Sequence, residues 1–127
     1  MTPPDEPCVL VVDDDPLMGR AVARLVRARC PTDVATSPDE ALARLAERRY
    51  RAVLCDMRFT GLEQDGAYLF EQVKAADPAQ AARFVFMTGG MGDARYPDFL
   101  ATTGCPVLDK PFTPEALDAV LDPLLAE

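Results

Sequence analysis

The chain has 127 residues, which suits one domain with one sizeable core and is too short for two. Its formal net charge of −8 argues against a nucleic-acid-binding surface, and the absence of histidine excludes Ser/His and Cys/His catalysis and histidine-ligated zinc. A hydrophobic fraction of 49% with 27% charged residues is typical of a soluble globular protein.

The sequence predicts neither a membrane span nor a signal peptide. No apolar run approaches the roughly 20 residues that a membrane span needs, and the first residues lack the basic and apolar regions of a signal peptide. We therefore expect a cytoplasmic protein without a membrane partner. The domain is expected to span residues 7–126, with residues 1–6 as a disordered tail.

The four cysteines form no C-x-x-C pair; they are Cys8, Cys30, Cys55 and Cys105. Three of them lie in or beside apolar runs. The pattern favours buried free thiols in a reducing compartment over a disulfide framework.

Five short apolar runs predict β-strands at residues 8–12, 32–35, 52–55, 83–87 and 106–108. The first, third and fourth are nearly continuous and rich in β-branched or aromatic residues, as in strands covered on both faces. Helical apolar spacing follows each of the first three runs and the last one; after the first it comprises Leu17, Ala21, Val22, Leu25 and Val26.

Proline-containing caps mark where helices should begin. Asp15, Ser37 and Thr113 each precede a proline and suit the N-cap position, and a glutamate three residues after Ser37 completes a capping box. A helix around residues 93–103 has less support because Pro97 lies inside it.

Strict alternation of strands and helices predicts an α/β fold, a doubly wound five-stranded parallel sheet with helices on both faces. Ligands of such sheets bind beyond the carboxyl ends of the strands. The residues at those ends can handle a metal or a phosphoryl group; they are Asp13, Asp14, Asp15, Asp56, Thr88 and Lys110.

The chemistry of these ends favours a magnesium and phosphoryl site. If Asp13, Asp14 and Asp56 converge, each like-charge pair at about 5 Å costs roughly 3 kcal/mol, so a cation must offset the cluster. Oxygen ligands suit Mg²⁺, and Lys110 adds a positive charge. One carboxylate can then attack phosphorus, with the Thr88 hydroxyl bonding the phosphoryl oxygens.

Each residue also has a purely structural explanation. An acidic triplet before a helix is often a cap, Asp56 suits a turn, Thr88 begins a glycine-containing stretch typical of a loop, and Lys110 precedes a proline at a strand end. Their joint occurrence at the strand ends favours a site.

Four sequence blocks resemble a known family; they are VVDDDP at residues 11–16, VLCDMR at 53–58, FMTG at 86–89 and LDKPF at 108–112. In content and spacing they resemble the signature blocks of response regulator receiver domains, which are CheY-like proteins of two-component phosphorelays. The resemblance covers about residues 8–125. It implies a flavodoxin-like (βα)5 fold with strand order 2-1-3-4-5.

The resemblance also implies roles for the strand-end residues. Asp56 would be the phosphoacceptor, and with Asp13 and Asp14 it would hold Mg²⁺ or Mn²⁺, the backbone carbonyl of Arg58 completing the metal site.

By the same resemblance, Thr88 and Lys110 would contact the phosphoryl group. The peptide bond between Lys110 and Pro111 would be cis.

The donor implied by the resemblance is a phosphohistidine on a sensor histidine kinase or a histidine phosphotransfer protein. Such a receiver is not a conventional enzyme, although it catalyses its own phosphorylation and slow dephosphorylation. A single-domain receiver would act by protein contact near its fourth and fifth helices or by onward phosphotransfer. Alternatively, the chain is a receiver fragment of a hybrid histidine kinase.

The sequence departs from the family pattern at three places. Val107 stands where a switch aromatic is usual, which predicts another output surface, a weaker switch or onward phosphotransfer. Thr60 replaces a usual proline in a loop before Gly66 that is about two residues longer than is common. Arg58 places a bulky cation beside the acceptor.

Two other functions compete with the phosphorelay. A haloacid dehalogenase-type phosphatase would form its acyl phosphate on Asp13, although the later paired acidic motif and the lid domain are missing from this sequence. A pseudo-receiver would keep the fold as a binding module without the chemistry.

Overall fold

A computed structural model describes residues 9–57, 65–88, 101–110 and 112–126. Five parallel strands form one sheet: β1 (Val9–Val12), β2 (Thr32–Ala35), β3 (Ala52–Asp56), β4 (Phe84–Thr88) and β5 (Val107–Asp109). Their spatial order is β2-β1-β3-β4-β5, so the predicted fold class and strand order are confirmed.

Helices cover both faces of this sheet: α1 (Pro16–Arg27), α2 (Pro38–Glu47), α3 (Gly66–Ala76), the short α4 (Pro78–Ala81) and α5 (Pro114–Leu125). The sequence patterns did not predict α4. Residues 101–103 are helical and coincide with the end of the helix predicted at 93–103; the rest of that helix, the 1–6 tail and Cys8 lie outside the described residues.

The predicted caps are present. The Asp15 side chain accepts hydrogen bonds from two backbone N–H groups of α1, and Ser37 and Thr113 each cap their helix in the same manner. The Glu40 carboxylate closes the first turn of α2 by accepting from the backbone N–H of Thr36, one residue before the expected partner Ser37.

Alternate residues along the strands enter separate cores on the two faces of the sheet. In β1, Leu10 and Val12 pack with the cluster under α2 and α3, whereas Val9 and Val11 pack with the cluster under α1 and α5. All four side chains are buried, as the nearly continuous apolar run predicts for a central strand. The sheet therefore gives the strand ends a rigid base.

The apolar spacing of α1 combines two different faces. Val22 and Val26 are buried against the sheet, but Leu17, Ala21 and Leu25 are exposed, Leu17 to 72%. Helical spacing fits both stripes, since residues four apart share a face, and only the packing decides which one is covered. We call Leu17, Ala21 and Leu25 the α1 stripe.

The expectation that all cysteines are free thiols is wrong for one of them. Cys30 is disulfide-bonded, whereas Cys55 and Cys105 are free. Cys55 is buried in the core, as expected, and burial first, then the neighbouring Asp56 charge, raise the pKa of its thiol.

Candidate functional site at the carboxyl edge of the sheet

Two aspartates lie side by side where adjacent strands end. Asp56 is the last residue of β3, and Asp13 immediately follows β1. Because Val12 is in register with Cys55, the next residue of each strand falls at the same level of the sheet edge. A backbone hydrogen bond from Asp13 N–H to the Ala35 carbonyl, 3.0 Å long, extends the β1–β2 pairing to this residue.

Lys110 reaches both aspartates from the end of β5, the outermost strand on one side of the sheet. It follows β5, and its backbone N–H donates to the Thr88 carbonyl over 2.8 Å, which fixes the start of its side chain. The ammonium group then lies 2.9 Å from Asp13 Oδ2 and 3.4 Å from Asp56 Oδ2. A long lysine side chain thus crosses the ends of β4 and β3 to place its charge between the two carboxylates.

Asp13 is the most deeply buried of these acids, with 1% of its surface exposed. Its Oδ1 accepts a hydrogen bond from the Asp15 backbone N–H over 3.0 Å, and its Oδ2 binds Lys110. Both oxygens are therefore partnered, as a buried carboxylate requires.

The charges shift the pKa values of Asp56 and Lys110. Burial raises the pKa of Asp56 to about 6; the Asp13 and Asp14 charges also raise it, while Lys110 opposes them. For Lys110, burial alone would lower the pKa, but the Asp13 hydrogen bond and the carboxylate charges outweigh it and the pKa is raised. The site therefore favours a charged lysine and disfavours a further negative charge.

The donor set fits a magnesium ion. One oxygen each from Asp13, Asp14 and Asp56 lie within 4.8 Å of one another. Mg²⁺ binds hard oxygen ligands and keeps several of its waters, so a cluster of carboxylates at a partly open edge suits it. Nitrogen or sulfur ligands, which would favour zinc, are not part of this set among the described residues.

Thr88 lies at the same edge but is hydrogen-bonded elsewhere. It is the last residue of β4 and 8% exposed. Its hydroxyl donates to Asp109 Oδ1 over 2.7 Å, on the side of β5. The sequence patterns gave Asp109 no role, because its position opposite Thr88 depends on the β4–β5 register, which only the folded sheet defines.

Gly66 is a second residue of the site whose role was missed. A Cβ atom at this first residue of α3 would lie 2.6 Å from the Asp56 carbonyl oxygen and 3.0 Å from Met57 Cα. Asp65 caps the helix by accepting from the Tyr68 N–H. The absence of a side chain therefore lets α3 begin directly against the acceptor strand; a glycine immediately after a capping aspartate was the available signal.

Several site predictions lie outside the described residues: the Arg58 carbonyl, the Lys110–Pro111 peptide bond and the longer loop with Thr60. Of the predicted residues that are described, the structure brings Asp13, Asp14, Asp56 and Lys110 together. Asp15, also at this edge, serves as the cap of α1.

Comparisons with known proteins define the class. The family model of the response regulator receiver domain matches residues 9–122. The chain therefore belongs to the response regulator receiver domain family, and its class of function is phosphorelay signalling.

Solved structures agree with this assignment. The receiver domain of NtrX from Brucella abortus is 27% identical, with a TM-score of 0.80 over 93% of this chain and 98% of that one. A longer NtrX chain, crystallised with ATP, is also 27% identical, with a TM-score of 0.79 over 93% of this chain, but this chain spans only 26% of its length. Vibrio cholerae CheY4, 22% identical with a TM-score of 0.76 over 91% of this chain and 96% of that one, shares the fold.

Among curated protein sequences, none matches the chain. Within the described residues, no helix is both long and apolar enough to cross a membrane.

Proposed function

We propose that the chain accepts a phosphoryl group on Asp56 from a phosphohistidine of a sensor histidine kinase or a histidine phosphotransfer protein. The observation that carries the proposal is the position of the Asp56 carboxylate. It lies at a strand end, 3.4 Å from the Lys110 ammonium group and within 4.8 Å of two further carboxylates. We place this chain in the cytoplasm as a receiver domain spanning residues 7–126; the disulfide of Cys30 is unusual for that compartment.

In the proposed transfer, an Asp56 oxygen forms the new bond to phosphorus while the phosphorus–nitrogen bond of the donor breaks. The bonding electron pair returns to the imidazole nitrogen of the donor. With its pKa raised to about 6, Asp56 is mostly ionised at neutral pH, so the nucleophile is in its reactive form. Lys110 neutralises charge on the incoming phosphoryl oxygens, and the Thr88 hydroxyl donates a hydrogen bond to one of them.

Asp13, Asp14 and Asp56, with the backbone carbonyl of Arg58, would hold the divalent ion. When bound, Mg²⁺ offsets the carboxylate charges and those of the phosphoryl oxygens. Asp13 keeps its bond to Lys110 and so positions the ammonium group beside Asp56. The protein residues thus contribute position and charge rather than covalent chemistry beyond Asp56.

The α1 stripe supports a protein as the donor. Leu17 and Leu25 are exposed, and a groove of about 120 Å³ beside them is lined by Met18, Leu25, Phe112 and Lys110. An exposed apolar face beside a charged site is typical of protein–protein contact surfaces. We propose that a helix of the donor packs on this stripe and brings its phosphohistidine over Asp56.

Labelling with acetyl phosphate and Mg²⁺ tests the chemistry. Intact mass should show one added phosphoryl group on the wild type and none on Asp56→Asn, while the exposed control Asp118→Asn labels like the wild type. Peptide mapping should find the group on Asp56. A label on Asp13 would support the phosphatase alternative, and an unlabelled wild type would leave the binding module.

The docking surface has its own test. Leu17→Glu should keep its labelling by acetyl phosphate, because Leu17 is outside the carboxylate cluster. The same variant should lose at least about tenfold in transfer rate from a phosphorylated histidine phosphotransfer domain that labels the wild type. An unchanged transfer rate would exclude the α1 stripe as the contact surface.

A further inference from the structure

One hydrogen bond at the carboxyl edge opposes the role proposed for Thr88. The Thr88 hydroxyl donates to Asp109 Oδ1 over 2.7 Å, an ordinary distance for a hydrogen bond between a hydroxyl and a carboxylate. The two residues are paired neighbours in the parallel ladder of β4 and β5. Thr88 is buried and Asp109 is exposed, so the bond points the hydroxyl toward the rim of the sheet.

The geometry permits one acceptor at a time. A threonine hydroxyl carries a single hydrogen, so it cannot be donated fully to Asp109 and to a phosphoryl oxygen on Asp56. The backbone cannot easily relieve this conflict, because the Lys110 N–H donates to the Thr88 carbonyl over 2.8 Å and holds the two strands in register. A Thr88 hydroxyl that bonds to the phosphoryl group must therefore first leave Asp109.

We propose that Asp109 is a positioning residue that holds the Thr88 hydroxyl away from the phosphoryl site and so weakens phosphoryl binding there. The inference rests on the proposed function, since it concerns the same site. When Thr88 turns to the phosphoryl group, its bond to the charged acceptor Asp109 is broken, and the free energy of that bond is subtracted from the affinity for the phosphoryl group. Asp109 then helps to set how much of the protein is in the occupied state.

A different effect of Asp109 must be separated from this one. Its negative charge alone would also disfavour an anionic phosphoryl group nearby. Asp109→Asn removes the charge but keeps a carbonyl oxygen that can accept from Thr88, whereas Asp109→Ala removes both. Thr88→Val removes the donor and keeps the shape of the side chain, so the double variant Thr88→Val/Asp109→Ala completes a cycle.

The test measures the affinity of each variant for beryllofluoride, a phosphoryl mimic, with Mg²⁺ by fluorine NMR. Asp109→Ala should bind about tenfold more tightly than the wild type, because breaking a hydrogen bond to a charged group no longer opposes binding. Asp109→Asn should stay within about threefold of the wild type. In the Thr88→Val background, Asp109→Ala should change the affinity by less than about twofold.

The outcomes separate the inference from the proposed function. If the wild type and Asp56→Asn give the same weak signal, no phosphoryl site exists at Asp56 and both fail. If the wild type binds at Asp56 and Asp109→Ala binds no more tightly, only the role of Asp109 fails. An equal gain for Asp109→Asn, or a gain that persists in the Thr88→Val background, would assign the effect to charge and overturn the positioning role.

A purely structural effect of Asp109 is checked without the ligand. Asp109→Ala also removes the bond to the buried Thr88 hydroxyl, so the thermal unfolding temperature of this variant without beryllofluoride should fall by only a few degrees, the loss that a tenfold change in affinity implies. A change in affinity that depends on Thr88 cannot arise from a general loosening of β5, which would persist in both backgrounds.

Discussion

The two edges of the sheet use polar groups in opposite ways. At the amino edge, the buried Gln80 side chain accepts from the Tyr50 backbone N–H and donates to the Tyr50 carbonyl, both over 2.9 Å. Beside it, Arg83 donates to the carbonyls of Arg51 and Leu124, each over 3.1 Å. At this edge, each of these side chains is paired with backbone groups of complementary hydrogen-bonding type.

At the carboxyl edge, charged groups lie close together, and the negative charges outnumber the positive ones. Among the described residues, the carboxylates of Asp13 and Asp56 share the ammonium group of Lys110, and an oxygen of Asp14 lies within 4.8 Å of theirs. Such a cluster costs folding free energy unless a cation binds. The comparison indicates that the amino edge stabilises the fold, whereas the carboxyl edge gives up stability to bind a cation and an anion.

Loss of the shared cation should have the largest effect. Lys110→Met leaves the buried Asp13 carboxylate without its cation and should lower the free energy of unfolding by about 4 kcal/mol at pH 7 without Mg²⁺. Urea denaturation measures it, and Lys74→Met on the exposed face of α3 is the matched control. A loss below about 1 kcal/mol would show that the carboxylates do not depend on Lys110.

Removing the hydrogen bonds at the amino edge should lower the free energy of unfolding nearly as much, and this loss should not depend on Mg²⁺. Gln80→Ala leaves the buried backbone groups of Tyr50 without partners and should lower the free energy of unfolding by about 3 kcal/mol. The loss should be the same with and without Mg²⁺. The exposed Gln72→Ala should change stability by less than about 0.5 kcal/mol. A Mg²⁺-dependent loss for Gln80→Ala would couple the two edges and weaken the contrast.

Removing a negative charge from the carboxyl edge should raise the free energy of unfolding rather than lower it. The Asp56 side chain is 13% exposed, and its pKa is raised from 3.8 to about 6, so the folded protein binds this proton more tightly than the unfolded chain does. Wild-type stability from this group is fully present below about pH 4 and is lost as pH rises through 6.

Asp56→Asn lacks that titration. Without Mg²⁺ it should match the wild type near pH 4 and exceed it above pH 6 by up to about 3 kcal/mol, from 1.36 kcal/mol per pKa unit. Denaturant unfolding from pH 4 to 7 measures the difference, with Asp118→Asn expected to follow the wild type. An Asp56→Asn variant that is less stable than the wild type at pH 7 would contradict the claim that the ionised Asp56 carboxylate destabilises this edge.

A smaller effect is expected where α3 meets the acceptor strand. Gly66→Ala places a Cβ 2.6 Å from the Asp56 carbonyl oxygen, so backbone must shift, at a cost of about 2 kcal/mol. Because the shift moves Asp56, acetyl phosphate labelling should also slow. Gly19→Ala, whose Cβ would lie 3.2 Å from the Val34 side chain and at ordinary contact distance, 3.7 Å or more, from Asp13, is the milder control. Equal labelling rates for both variants would exclude a special role for Gly66.

The fold could be predicted from the sequence because its signals are local. Apolar runs fix the strands, and the caps Asp15, Ser37 and Thr113 fix where three helices begin. The meeting of Asp13, Asp14, Asp56 and Lys110 followed from one topological rule, that parallel strands end at the same edge. Their chemical roles stay predictions.

What the sequence could not supply depends on packing between elements. The bond from Thr88 to Asp109 needs the register of β5, and the exposure of Leu17 needs the orientation of α1 on the sheet. The disulfide of Cys30 could not be predicted either, since disulfide connectivity cannot be deduced from sequence alone.

The central claim is that the carboxyl edge is incomplete without a cation, and a magnesium titration of protein stability tests it most directly. At a Mg²⁺ concentration ten times the dissociation constant, the free energy of unfolding of the wild type should rise by about 1.4 kcal/mol. Asp14→Asn should gain much less, and the advantage of Asp56→Asn over the wild type at pH 7 should shrink. If Mg²⁺ leaves the wild-type stability unchanged, or stabilises Asp14→Asn equally, the carboxylates do not form a metal site and the account is wrong.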